Sequence, residues 1–282
     1  MTHSATFESK DGIGKHAVIL ASGRGSRLAP YTTVLPKPLL PVGDGPILDV
    51  VIRQLSLYGF SDVTLAVGYL AHLIEAVFRD GSDQGVALRY HREAQPLGTV
   101  GPLASMDHLG DTFLMMNGDI LTTLDYAEFY AAHVESGNAL TLATHVRTVK
   151  SDYGVLELAA TNGVIQRVTG FREKPETDHS VSMGVYCAAG RIREYIPADQ
   201  PFDLPQLVWR LLEAGERVGS YPYQGYWLDI GRHEDYAKAM DEYEELKDLF
   251  LPRPVVDQPV PVGEQPVLNV VVGGEPGLAR AA

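Results

Sequence analysis

Residues 18–38 read VILASGRGSRLAPYTTVLPKP, and the fold turns on how this stretch is read. Val18-Ile19-Leu20-Ala21 is a short apolar run of the kind that forms a buried strand. It breaks into a loop with backbone freedom at Gly23 and Gly25 and cationic side chains at Arg24, Arg27 and Lys37, with hardly any acid nearby. Glycines let a chain approach a ligand closely and leave N–H groups free to point at it. Arginine adds a planar fork suited to phosphate oxygens. A strand, a glycine loop and clustered cations predict a polyphosphate site at the end of a sheet.

Outward from that loop, strand-like and helix-like patterns alternate. A helix is expected over 47–60 and a strand over 62–68; LAHLIEAVFRD then reads as helix and VALRYHR as strand. A helix from Gly101 to about Leu109 leads into a strand over 112–117, followed by a helix in YAEFYAAHVES and a strand over 139–146. Such alternation argues for βαβ units, hence an α/β, mainly parallel sheet flanked by helices. Ligands in such sheets bind beyond the carboxyl ends of the strands. The cationic loop and the acidic tip Asn117-Gly118-Asp119 both fall at such ends, so one cleft is expected to hold both.

From about residue 150 the texture changes to short strands, expected over 153–158, 163–170 and 181–188, laid as a small antiparallel subregion over the first half. Helices near 203–214 and 233–248 close the folded part. The expected organisation is a disordered start over 1–15, a catalytic domain over 16–250, and a Pro/Val/Gly-rich tail over 251–282. That tail is either disordered or an assembly arm. Its run VLNVVV (267–272) has the strong β propensity and lack of charge that suit an edge strand on a neighbouring subunit, which would make a homo-oligomer.

Composition narrows the function class. The chain of 282 residues carries a net charge of −13, which argues against broad binding to nucleic acid or anionic membrane. Against that background, positive charge gathered at 24–37 signals a bound anion. The single cysteine, Cys187, excludes an intrachain disulfide framework and, in SMGVYCAAG, reads as a buried core thiol. No apolar run is long enough to span a bilayer, and MTHSATFESKDGIGK lacks a signal-peptide apolar region, so a cytoplasmic location is expected. The nine histidines show no HxH or HExxH spacing. Two familiar phosphate loops also fail. The dinucleotide fingerprint needs a third glycine where Leu28 stands, and a Walker loop needs a lysine that neither glycine precedes.

What stands instead is G-x-G-x-R-L-x-P followed by PKP. With the segments LASGRGSRLAPYT, LPKPLLPVG, PLGTVG, NGD, REKP, SMGVY and GYWLDIG in that order, the chain resembles the sugar-1-phosphate nucleotidylyltransferases over about residues 16–245. It looks most like the members that use mannose-1-phosphate and GTP. The resemblance implies a Rossmann-like fold, Mg²⁺ as cofactor, and a reaction in which an NTP and a sugar-1-phosphate give an NDP-sugar and pyrophosphate. It also implies roles. Arg27 and Lys37 match the catalytic cations on the triphosphate, and Asp119 and Asp229 the carboxylates that ligate Mg²⁺. Leu20, Ser22, Gly23, Gly25, Gln95, Gly98 and Thr99 match the nucleotide site, with Gln95 and Gly98 near the base. Gly154, Glu173, Lys174 and Ser182 match the side that binds the sugar phosphate, Lys174 on its phosphate and Glu173 on sugar hydroxyls. Ser182 stands where many members carry an Asn that touches the sugar, which leaves the sugar open.

Two other classes compete. A glycosyltransferase on a similar scaffold typically carries Asp-x-Asp, where this chain has Asn117-Gly118-Asp119. A non-catalytic regulatory homologue tends to lose a metal carboxylate or a loop cation, and this chain keeps all four.

Overall fold

The computed structural model describes residues 14–160 and 164–252. The tail, including VLNVVV, and nearly all of the segment expected to be a disordered start lie outside the described residues.

The first strand, β1 (Lys15–Ala21), is longer than its apolar core and is buried on both faces, as a central parallel strand must be. Two short strands, β2 (Pro41–Val42) and β3 (Gly45–Pro46), form a small hairpin after the loop. Helix α1 (Ile47–Leu57) stops before residue 60 because Gly59 turns the chain at φ 83° and Phe60 already opens β4 (Phe60–Val67). Then come α2 (Ala71–Phe78), β5 (Ala87–Arg92), β6 (Thr112–Asn117) and β7 (Ile120–Thr122). Helix α3 (Tyr126–Ser136) has both ends fixed by sequence: Asp125 accepts from the Ala127 and Glu128 amides, and Gly137 closes it in the left-handed region.

The second half comprises β8 (Leu140–Lys150), β9 (Val155–Leu158), β10 (Val168–Arg172), β11 (Glu176–Ala189), α4 (Leu204–Glu213), β12 (Val218–Pro222), β13 (Trp227–Asp229) and α5 (His233–Phe250). The main sheet has seven strands in the order β12-β8-β11-β6-β1-β4-β5. All pairings are parallel except those of β11, which runs antiparallel to both β6 and β8. Here the expectation needs correcting. The antiparallel strand does not lie over the sheet but is built into its middle, and β9 and β10 form a separate two-stranded ladder, the arm. The strand expected over 163–170 is β10, shifted toward the C-terminus.

A second correction concerns 101–109, expected as an α-helix. It is a 3-10 turn over Gly101–Ser105. Val100, Leu103, Met106 and Leu109 are all fully buried, and this three-residue spacing fits 3.0 rather than 3.6 residues per turn.

Apolar layers hold both faces. Leu48, Val51, Ile52 and Leu55 of α1 pack with Ile74 and Phe78 of α2 and Tyr126 and Phe129 of α3 on one face. On the other, the 100–109 segment packs with Leu204, Leu207 and Leu211 of α4. Each such side chain contributes about 1.5–3 kcal/mol. A third cluster joins Leu28 and Leu40 beside the loop to Leu228, Ile230 and Phe250, so α5 buttresses the loop from behind. Cys187 is buried, and its thiol is pushed well above the usual range by that burial.

Candidate active site

β1 lies between β6 and β4, so the chain leaves it in opposite directions on its two sides. A crevice opens at the carboxyl ends of such a switch point. The loop after β1 enters it and is held by its neighbours. The Tyr69 amide donates to the Ser22 carbonyl at 3.3 Å, and Thr32 Oγ1 donates to the Gly25 carbonyl at 2.8 Å. Gly25 has φ 62°, and a Cβ there would press on Lys37 and Thr32 at 3.0 Å, so a side chain would be strained and crowded. Arg24 lies over the Tyr69 ring, 5.6 Å from its centroid. The cleft has a volume of about 470 Å³, and its walls include Leu20, Ser22, Gly23, Gly25, Arg27, Lys37, Gly98, Thr99 and Asp119 of the expected residues.

Lys37 is not a solvated surface cation. It is 8% exposed, and its Nζ donates to Asp119 Oδ2 across 82 residues of sequence. Asp119 follows Gly118, whose amide donates to the Leu20 carbonyl at 3.0 Å and whose missing side chain lets the tip lie against β1. The short ladder of β7 with β13 pairs Ile120 with Asp229, and the Ile230 amide donates to the Asp119 carbonyl at 3.1 Å. Two carboxylates 110 positions apart in sequence thereby face one space. Asp229 reaches solvent, and its pKa is pushed up, first by partial desolvation and then by the Asp119 charge, while Lys37 and Arg27 pull it back. Arg27 packs its guanidinium over Gly231, about 3.6 Å from where a Cβ would stand.

The donor set suits Mg²⁺. Asp119 Oδ1 is buried and accepts no hydrogen bond, which leaves a hard anionic oxygen free for a cation. Among the described residues no group of three or more His, Cys, Asp or Glu side chains is placed to hold a metal. One or two carboxylates completed by substrate phosphates is the usual way this cation is held.

At the far end of the cleft, the segment 95–101 is laced to 199–203. Phe202 N–H donates to Leu97 O at 2.8 Å, and both Val100 and Gly101 amides donate to Phe202 O at 3.0 Å. Asp203 Oδ1 accepts from the Thr99 amide at 2.8 Å and from Thr99 Oγ1 at 3.1 Å. Gly98, at φ 75°, is required here, since a Cβ would meet Asp203 Oδ1 at 2.7 Å. Gln95 is placed differently from the other expected residues. It is exposed and its amide donates to the Asp199 carbonyl at 3.4 Å, away from the cleft wall.

The residues implied for the sugar phosphate lie on the arm and on β11, outside the walls of this cleft. Gly154 sits against Phe171 and Glu173; a Cβ would be 2.5 Å from the Phe171 ring and 3.1 Å from Glu173 Oε2. Lys174 is exposed with φ 43°, an unusual backbone for a lysine. Ser182 Oγ donates to Tyr186 OH at 3.0 Å, and the ladder slips between Ser182 and Tyr186. Gly184, in that slip at φ 77°, approaches Asn117. Tyr186 in turn feels both Asp229 and Asp119, whose charges help burial to raise its pKa. Ser182 is thus one hydrogen bond from a side chain beside the acidic pair. Trp227 is half-buried against the core, its Nε1 donating to Met183 O at 2.9 Å.

Sequence reasoning passed over Glu93 and Asp203, both in the cleft wall. Asp203 did carry a signal, since Asp-Leu-Pro is a helix start. Glu93 had only its position two residues before Gln95.

A nucleotidyl transferase family model matches residues 16–246. The chain is 31% identical over 258 residues to a UTP–glucose-1-phosphate uridylyltransferase from Synechocystis, covering 84% of this chain and 66% of that one. It is 30% identical over 234 residues to the mannose-1-phosphate guanylyltransferase catalytic subunit beta of Xenopus tropicalis, covering 80% and 64%. The chain thus spans slightly less than two thirds of these relatives' length. Among solved structures, HddC from Yersinia pseudotuberculosis superposes with a TM-score of 0.63 at 25% identity, covering 81% of this chain and 99% of that one. A putative glucose-1-phosphate thymidylyltransferase from Bacillus anthracis gives 0.64 at 21% identity, covering 80% and 94%, a likeness of fold.

Proposed function

The chain belongs to the nucleotidyl transferase family, and we propose that it joins an NTP to a sugar-1-phosphate with release of pyrophosphate. One observation carries the reading: the glycine loop after β1, Arg27, Lys37 and Asp119 line a single cleft, and Asp229 feels the charges of Asp119, Lys37 and Arg27. A phosphate oxygen of the sugar-1-phosphate attacks the α-phosphorus. The bond from that phosphorus to the bridging oxygen breaks, and pyrophosphate leaves with the electron pair. Both reactants are anions and the nucleophile is already deprotonated, so the chain's task is to position them and offset charge.

In this reading the 22–25 backbone cradles the triphosphate and Lys37 meets its oxygens from beneath. Arg27 meets the charge that grows on the departing pyrophosphate. Asp119 and Asp229 would hold Mg²⁺, which supplies neutralisation of phosphate charge when bound. The arm brings Glu173 and Lys174 to the sugar phosphate. We assign GTP and mannose-1-phosphate or a related manno-configured sugar phosphate, supported by the Pro96–Gly101 segment and by guanylyltransferase relatives; a cytoplasmic setting, with one buried cysteine, belongs to the same proposal. The test is a matrix of NTPs against sugar-1-phosphates with Mg²⁺ and no acceptor. Pyrophosphate release is expected, fastest with GTP. None with any pair would return the chain to the glycosyltransferase class.

A further inference from the structure

We propose that the chain forms a two-fold dimer through the β12 edge of its sheet and the outer flank of α4, joining the main sheets of two copies. The inference stands apart from the catalytic reading of the cleft.

The two edges of the main sheet are built differently. β5, at one end, carries Arg89, His91 and Arg92, and Arg92 is paired with Glu75. Charged side chains on an edge strand keep other chains from pairing with it. β12, at the other end, reads Val-Gly-Ser-Tyr-Pro and carries no charge. Among the described residues its only ladder is with β8. At the ends of that ladder the Arg217 carbonyl accepts from the Ala139 amide and the Tyr223 amide donates to the Thr144 carbonyl, both at 2.8 Å. Backbone groups alternate in direction along a strand. The amides of Val218 and Ser220 and the carbonyls of Val218, Ser220 and Pro222 therefore point away from β8.

α4 presents a matching surface beside this edge. Leu204, Leu207 and Leu211 are its buried face. On one flank Arg210 donates to the Tyr195 carbonyl at 2.9 Å and lies over the Phe202 ring, 4.7 Å from its centroid. That flank faces the turn over Gly190–Tyr195, inward along the sheet. The opposite flank carries Pro205, Val208, Trp209 and Leu212, at the spacing of one helical stripe. Val208 packs on the same apolar cluster as Val218, which puts this flank on the β12 side. Trp209 is 66% exposed and Leu212 48%.

A second copy is the occupant that suits both surfaces. Around a two-fold axis at Ser220, each Ser220 amide donates to the carbonyl of the partner's Ser220, and each Val218 amide to that of the partner's Pro222. Pro222 lacks an amide for the return bond, a loss that only an edge strand tolerates. The same axis lays α4 beside its copy with Trp209 and Leu212 between. Charge favours this face too. At a net charge of −13 two copies repel over most of their surface, yet residues 218–222, Pro205, Val208, Trp209 and Leu212 carry none. An edge of this length spans about 17 Å, and with one helix flank it makes a small interface, so a dissociation constant on the order of micromolar is expected.

Sedimentation velocity on the full chain, from about 1 to 300 µM, tests this. A monomer–dimer equilibrium is expected. Trp209→Glu should weaken it about 100-fold, as loss of a central aromatic anchor does. Ser220→Pro removes an outward amide and should weaken it about tenfold. Both variants should keep the wild-type circular dichroism spectrum. Trp209 is exposed, so its variant reads the interface even if Ser220→Pro disturbs the fold. Truncation after Pro252 should leave the dimer in place. A chain that stays monomeric throughout overturns the inference, as does a dimer that Trp209→Glu leaves intact. Loss of the dimer on truncation would overturn it in favour of the run over 267–272.

Discussion

The glycine loop of the cleft and the β9–β10 ladder outside it are built from different materials. The loop over 22–25 springs from β1, where Ala17, Val18 and Ile19 are fully buried, and is braced by Thr32, Lys37, Tyr69 and the third apolar cluster. The arm carrying Gly154 and Glu173 is a two-stranded ladder with all four residues of β9 exposed, Phe171 61% exposed, and the Ser151 amide tied to the Pro175 carbonyl at its base. Elements with few buried contacts open locally at low free energy, whereas core strands open only with the whole domain. On the proposed function, the nucleotide would meet the well-packed region and the sugar phosphate the more exposed ladder, which is the part expected to open locally.

The hardest test falls on the boundary between the two sides. Asp119→Asn or Asp229→Asn is expected to cut turnover on the order of 10³-fold, because losing one carboxylate removes several kcal/mol of charge stabilisation. Stability should move the other way for Asp229→Asn. A carboxyl whose folded pKa is raised binds more protons folded than unfolded, so it favours folding below its unfolded pKa and weakens it as pH rises through the folded one. Removing that charge should raise Tm at neutral pH. Near-wild-type turnover in either variant would separate that carboxylate from the chemistry.

On the rigid side, Arg27→Ala should lower kcat by about 10²–10³ with KM for the NTP little changed, as for a contact made mainly in the transition state. Stopped assays of pyrophosphate release give both constants. A raised KM alone would move Arg27 to ground-state binding.

The core half should also be the acid-sensitive half. His133 is buried, its Nδ1 2.8 Å from Thr141 Oγ1, and burial lowers its pKa to about 4. Its contribution is fully present above the unfolded value of 6.5 and is lost as pH falls toward 4, about 3 kcal/mol at most. His16 and His108, also lowered mainly by burial, act in the same direction. Urea midpoints at pH 7 and pH 4.5 measure the slope, and His133→Gln should flatten it. An unchanged slope would show that His133 is not what couples the core to pH.

The smallest effect divides the substrates. Lys37→Ala should raise KM for the NTP about tenfold and Lys174→Ala KM for the sugar phosphate by a similar factor, each sparing the other substrate. If each variant weakens both substrates alike, the contrast between a well-packed nucleotide side and a more exposed sugar side fails.

Much of this was legible in the residues. The run at 18–21, the glycines at 23 and 25 and the tip at 117–119 are local patterns, and a strand's burial or a loop's freedom is set by the residues within it. Gly137 and Asp125 fixed the ends of α3 in the same way. Other features depend on neighbours far along the chain. Lys37 meets Asp119 across 82 residues, and Asp203 clamps Thr99 across 104. Strand β11 enters the sheet antiparallel although its sequence resembles that of any buried strand. The start of the 101–109 segment tightened to a 3-10 turn where the Val100 and Gly101 amides answer to Phe202. Periodicity records which face of an element is apolar; it does not record which surface will meet that face. That choice belongs to packing between segments a hundred residues apart, and it placed Glu93 rather than Gln95 in the cleft wall.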